Sequence, residues 1–90
     1  QQALSIGLVT EVCEPELTEE RALALAQMIC KKAPLAIAEI KQAIKAAADT
    51  PLEAGLAVER EAFARLLDSE DKLEGIAAFK EKRAADFAGK

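Results

Sequence analysis

A carboxylate, two aromatic rings and a pair of cations are the residues of this chain whose types and spacing could do chemistry. Glu59 falls near the centre of an apolar helical stripe, between Leu56 and Phe63. A carboxylate in that position must be paired, be protonated, or face a polar cavity. It reads either as a general acid or base, or as half of a structural ion pair for which Lys41, at the border of the preceding stripe, is the candidate partner. Phe79 stands in "AAFKEKR", beside Lys80, Lys82 and Arg83, in a chain with 3 Phe, no Trp and no Tyr. If residues 70–88 form one helix, its stripe runs through Leu73, Ile76, Ala77, Ala84 and Phe87. Phe79 then points roughly 120° from the stripe's centre. An aromatic off the core face, beside cations, suggests a second surface covered by a partner or by a ligand. Lys82 and Arg83 would also be favoured in a last turn by the helix dipole alone. Phe63 lies on its stripe, where a core role is the default.

No nucleophile–base pair is visible, so no catalytic residue is assigned. No glycine-rich loop precedes a helix in a phosphate-cradling pattern. With no His and only Cys13 and Cys30, far apart in sequence, no metal site is expected. The two thiols read as buried and reduced.

The elements that must position these residues are helical. The chain is 90 residues, enough for one small domain that would bury about 60–65% of its unfolded surface. It is 51% hydrophobic but 3% aromatic, and 20 of the apolar residues are Ala. That favours close helix packing over a bulky core, and a partner surface to complete it. The chain is therefore expected to be a piece of something larger. A net charge of −4, with acids and bases interleaved, argues against nucleic acid and against an anionic membrane surface. No apolar run approaches ~18 residues, and no signal-peptide pattern opens the chain.

Residues 6–13, "IGLVTEVC", read as a short extended segment after a helix end at Leu4–Ser5, with Gly7 as the stop. Four helices are predicted after it. Thr18 is the expected N-cap of the first, with stripe Ala22, Leu25, Ala26, Ile29 and Ala33. Pro34 opens the second, with Ile37, Ile40, Ile44 and Ala48. "TPLE" at 50–53 reads as a capping box for the third, with Thr50 as N-cap, Pro51 at N1 and Glu53 at N3. Its stripe is Leu52, Gly55, Leu56, Ala62, Phe63, Leu66 and Leu67. Asp68 or Ser69 caps the fourth, and Gly89 closes it. The fold class is all-α: residues 1–14 form a helix end plus extended segment, and 15–90 a four-helix domain.

Taken together, these elements resemble the C-terminal region of the enoyl-CoA hydratase (crotonase) family, over nearly all 90 residues. "ALSIGLVTEV" at 3–12 resembles the segment where that family's spiral core gives way to its helical tail. "PLAIAEIKQAI" at 34–44 is similar to P-x-A-x-x-x-x-K, through Pro34, Ala36 and Lys41. "GLAVEREAF" at 55–63 matches G-L-x-x-E-x-x-x-F. "DKLEGIAAFKEKRAADF" at 71–87 matches E-G-x-x-A-F-x-E-K-R followed by F, the most specific of the four. The family often has Pro where this chain has Ala85, a change expected to let the last helix run on.

The resemblance implies a parent enzyme that adds water across the double bond of 2-enoyl-CoA thioesters, or a sibling isomerase, hydrolase or decarboxylase. Its oxyanion hole and two glutamates would lie in an upstream spiral domain. Glu59 would match a tail glutamate with no catalytic part. No cofactor is implied beyond coenzyme A itself, carried by the acyl-CoA substrate. The tail would assemble a homotrimer or a dimer of trimers and help close the CoA site. Phe63 and Phe79 would then flank the adenine, and Lys82 would approach the phosphates. The compartment would be the bacterial cytoplasm or the mitochondrial matrix. The other reading is a stand-alone helical interaction module without catalysis.

Overall fold

The computed structural model describes residues 1–90. It contains α1 (Gln2–Ser5), a 3-10 turn (Pro15–Leu17), α2 (Thr18–Cys30), α3 (Pro34–Asp49), α4 (Leu52–Leu66) and α5 (Glu70–Glu81), and no strand. The fold is all-α, as the periodicity requires. Gly7 ends α1 in a left-handed turn, φ 74°, with the Leu8 N–H reaching back to the Ala3 carbonyl. Residues 6–14 then form no ladder. They are tied to α2 by an ion pair between Glu11 and Arg21.

Two helix starts lie elsewhere than predicted. Pro15 opens the 3-10 turn that runs directly into α2, so Thr18 is already helical, with φ −59° and ψ −45°, and caps nothing. Pro suits a first helical position because its missing N–H would be unpaired there anyway. The capping box at 50–53 is not made either. Pro51 stays extended, with ψ 152°, so α4 begins at Leu52 and Thr50 sits one residue too early. The Thr50 hydroxyl instead donates to the Ala46 carbonyl at 2.7 Å and closes the end of α3. Ser69 does cap α5, its hydroxyl oxygen accepting from the Lys72 N–H at 3.1 Å.

The largest departure is at the C-terminus. α5 stops at Glu81, and residues 84–88 do not continue it despite Ala85. Lys82 adopts φ 55° and ψ 40°, and the Arg83 N–H bonds to the Ala78 carbonyl at 3.0 Å. This is a Schellman ending with lysine where glycine is usual. Gly89, with φ 74°, has the left-handed backbone expected of it but ends no helix. Residues 83–90 form a strap running back along α5. The strap covers the Asp71–Gly75–Ala78 face, and leaves the predicted stripe residues Leu73 and Ile76 exposed.

α3 and α4 make the one extensive helix pair. Its seam is built from small residues. Ala62 is buried, and Gly55 faces Ala47, where a Cβ would lie 3.5 Å from the Ala47 Cα, at ordinary van der Waals distance. Arg65 bridges the open end of the pair, donating to both carboxylate oxygens of Glu39 at 2.9 and 2.7 Å. The Leu25–Ile29 stripe of α2 and the Leu52–Leu56–Phe63 stripe of α4 are not covered.

The chain is consequently an open slab of 42 × 38 × 18 Å. Its radius of gyration is 16.5 Å, where a closed domain of this length has about 12 Å. It exposes 7567 Å², about 2,500 Å² more than a closed monomer of 9.6 kDa. The expected apolar stripes exist, but they face surfaces this chain does not itself supply.

Candidate functional site

The largest concavity lies between the α3–α4 pair and α5, with a volume of about 640 Å³. Three elements bring the three Phe residues of the chain to it. Phe63 comes from the C-terminal half of α4, Phe79 from α5, and Phe87 from the strap. Leu35 and Ala36 at the start of α3 form the opposite wall, and Lys72 and Lys80 of α5 are the cations on its lining. None of Lys72, Lys80 and Lys82 enters an ion pair. An apolar cleft with several ring faces and unpaired ammonium groups suits a flat aromatic ligand that carries negative charge.

Phe79 is 85% exposed, so it does leave the covered face of its helix. Phe63 is 64% exposed and is not a core residue, because no element of this chain covers the outer side of α4. Lys82 stands apart from the groove lining. It occupies the reversal that ends α5, one turn beyond Phe79, and its backbone N–H bonds to the Phe79 carbonyl at 3.3 Å.

Glu59 and Lys41 form no ion pair, and the expected bridge is made elsewhere. The register set by Glu39–Arg65 and Ala47–Gly55 places Glu59 opposite Ala43 and Ile44, with Lys41 about three residues further along α3. Glu59 is exposed between two shallow grooves lined by Ile44.

The residues with the strongest electrostatic coupling are ones that periodicity did not single out. Glu74 accepts from Arg83 at 2.6 and 2.9 Å and from the Asp86 N–H at 2.7 Å. The Arg83 bonds, reinforced by the Asp86 N–H, hold the Glu74 carboxyl down at about 2. Arg83 also donates to Glu81 at 2.6 Å, and the two carboxylates raise its guanidinium further above its ordinary value. Asp71 is 4% exposed, the one buried charged side chain. Its carboxylate accepts from the Ala88 N–H at 2.8 Å and the Gly89 N–H at 3.0 and 3.2 Å. The signal for Glu74 and Arg83 was present in E-G-x-x-A-F-x-E-K-R, whose first and last members prove to be the bidentate pair. Asp71 gave no such signal, since an acid in a first helical turn is accounted for by the dipole.

The same helical fold recurs in known proteins. The profile of the enoyl-CoA hydratase/isomerase family matches residues 1–90. This chain belongs to that family. It corresponds to the family's C-terminal helical region. A 2,3-dehydroadipyl-CoA hydratase of Escherichia coli is 46% identical over 90 residues, covering 100% of this chain and 35% of that protein. The mitochondrial enoyl-CoA hydratase domain-containing protein 2 of Mus musculus is 41% identical over 93 residues, covering 99% of this chain and 31% of the relative. Among solved structures, an enoyl-CoA hydratase of Bacillus anthracis superposes with a TM-score of 0.93 at 37% identity, covering 100% of this chain and 35% of that one. A Geobacillus kaustophilus enoyl-CoA hydratase subunit gives 0.91 at 44%, over 99% and 35%. The chain thus spans about a third of the length of the relatives it matches. No helix is long and apolar enough to cross a membrane.

Proposed function

We propose that these 90 residues are the C-terminal helical part of an enzyme that hydrates 2-enoyl-CoA thioesters in fatty-acid or related acyl-CoA metabolism, a lyase. In that enzyme they close the nucleotide end of the CoA site. The observation that carries this reading is the meeting of Phe63 and Phe79 on one groove, with unpaired lysines on its lining. Aromatic side chains are stacking partners for an adenine ring, and each stacking contact contributes about 1–3 kcal/mol. Lys82, on its forced reversal beside Phe79, supplies a point charge for a phosphate. Coenzyme A arrives as part of the substrate, and no further cofactor is needed.

Residues 1–14 are the run-out from the spiral domain, and 15–90 are the assembly domain. The apolar faces of α2 and α4 support a homotrimer or a dimer of trimers, because a surface excess of this size is what packed neighbours remove. Relatives from bacteria and mitochondria support a cytoplasmic or matrix enzyme. The acid–base pair and oxyanion hole belong to the preceding domain, so the 90-residue chain alone is expected not to hydrate crotonyl-CoA.

The test is steady-state kinetics of the full-length enzyme carrying Phe79→Ala or Lys82→Ala. KM for crotonyl-CoA should rise while kcat changes little, as for a contact made equally in ground and transition states. An unchanged KM in both variants would leave the groove a protein interface.

A further inference from the structure

The strap is fastened to α5 at both ends by carboxylates. At its start, Glu74 takes two bonds from Arg83 and one from the Asp86 N–H. At its end, Asp71 takes the N–H groups of Ala88 and Gly89, and the Asp71 N–H donates to the Lys90 carbonyl at 3.0 Å. A buried carboxylate is costly unless its oxygens are fully engaged. Asp71 enters no ion pair, so the strap backbone is what satisfies it. Gly89 is held in its left-handed turn at the same point, where a Cβ would lie 3.5 Å from the Pro34 ring. The strap therefore spans from α5 to the start of α3, across one end of the groove. Between the two fastenings, Phe87 lies over Gly75 and forms part of the groove wall.

We infer that Asp71 and Glu74 are positioning residues for the nucleotide end of the CoA site. They hold the strap against α5, so that Phe87 walls the groove and Lys82 is kept on the reversal next to Phe79. Neither carboxylate need touch the ligand, since the oxygens of Asp71 face backbone N–H groups. This inference rests on the reading of the groove given above.

The test uses the full-length enzyme with crotonyl-CoA and with crotonyl-pantetheine, which lacks the nucleotide. The variants are Asp71→Ala, Asp71→Asn, a truncation after Ala85, and Asp71→Ala combined with that truncation. Loss of the strap should raise KM for crotonyl-CoA about tenfold, the loss of one good stacking contact, with kcat held within about twofold. KM for crotonyl-pantetheine should not move. Asn keeps one acceptor oxygen and should recover part of the loss. The combined variant should be no worse than either parent, because both remove the same contact.

Equal KM increases for the two substrates, or a kcat falling in step, would make the strap a general stability element and overturn the inference. So would a normal KM in Asp71→Ala and in the truncation while Phe79→Ala raises it, an outcome that leaves the groove reading standing. A normal KM in both Phe79→Ala and Lys82→Ala removes the groove reading and the inference with it. Should Asp71→Ala fail to fold, the truncation and Glu74→Gln carry the same comparison.

Discussion

Replacing Lys82 with glycine should leave the chain more stable than replacing it with alanine, while both changes weaken the proposed CoA contact. Lys82 is the one non-glycine residue with positive φ. A side chain at φ 55°, ψ 40° brings Cβ too close to the following carbonyl, at about 1–2 kcal/mol. Glycine removes that clash. It loses about 0.5–1 kcal/mol of this through the greater freedom of the unfolded chain. It also loses about 0.3–1 kcal/mol if the ammonium helps the C-terminal end of α5. Lys82→Ala removes the same charge but keeps Cβ, so the glycine–alanine difference isolates the backbone. We expect Gly to exceed Ala by about 1 kcal/mol, with Asn between them because it tolerates the left-handed region. Urea unfolding followed by far-ultraviolet circular dichroism, at one fixed protein concentration, reads the three variants side by side. In the full-length enzyme, Gly and Ala should raise KM for crotonyl-CoA alike, since both lack the ammonium. Equal stability of Gly and Ala would refute the strained reversal. A raised KM in Ala alone would refute the role of the charge.

Three further outcomes follow from other parts of the fold. Glu74 has its carboxyl lowered from the ordinary range to about 2, so its contribution to strap docking is complete above about pH 4.5 and is lost as pH falls through 2. The protection of the Asp86 amide against hydrogen exchange, relative to its intrinsic rate, should fall with that loss in the wild type, and Glu74→Gln should flatten this fall. Gly55→Ala should stabilise α4 by about 0.5–1 kcal/mol, because the added methyl meets Ala47 at ordinary van der Waals distance while helix propensity improves. A lower urea midpoint in that variant would mean the α3–α4 seam is tighter than described. Finally, the isolated chain should self-associate through its uncovered faces, and a monomer at high concentration in analytical ultracentrifugation would contradict the surface accounting.

The long periodic segments were legible from residue order. α2, α3 and α4 fall within a few residues of their expected bounds, because propensity and apolar spacing act over a dozen residues at once. Their starts were less legible. A single ψ at Pro51 shifted the α4 cap by one residue, and Pro15 moved the entry to α2 upstream. The direction of Phe79 was also readable, since it depends only on rotation within one helix. What lies opposite a helix face was not. Periodicity marks a face as apolar without naming its partner, so Phe63 read as core and stands exposed. The Glu59–Lys41 pairing failed for a related reason: it needed the register between two helices, which small residues such as Gly55 and Ala47 set.

By itself the sequence determined helical character, the order of the elements, and a family motif in its last twenty positions. Each of these follows from residue identity or from local backbone preference. The tertiary structure decided where α5 ends, what Asp71 and Glu74 hold, and that all three Phe meet at one groove. The holds of Asp71 and Glu74 depend on side-chain contacts 9 to 18 residues apart in sequence, made only when the chain reverses at Lys82. No local propensity marks that reversal, because lysine disfavours the left-handed backbone that creates it.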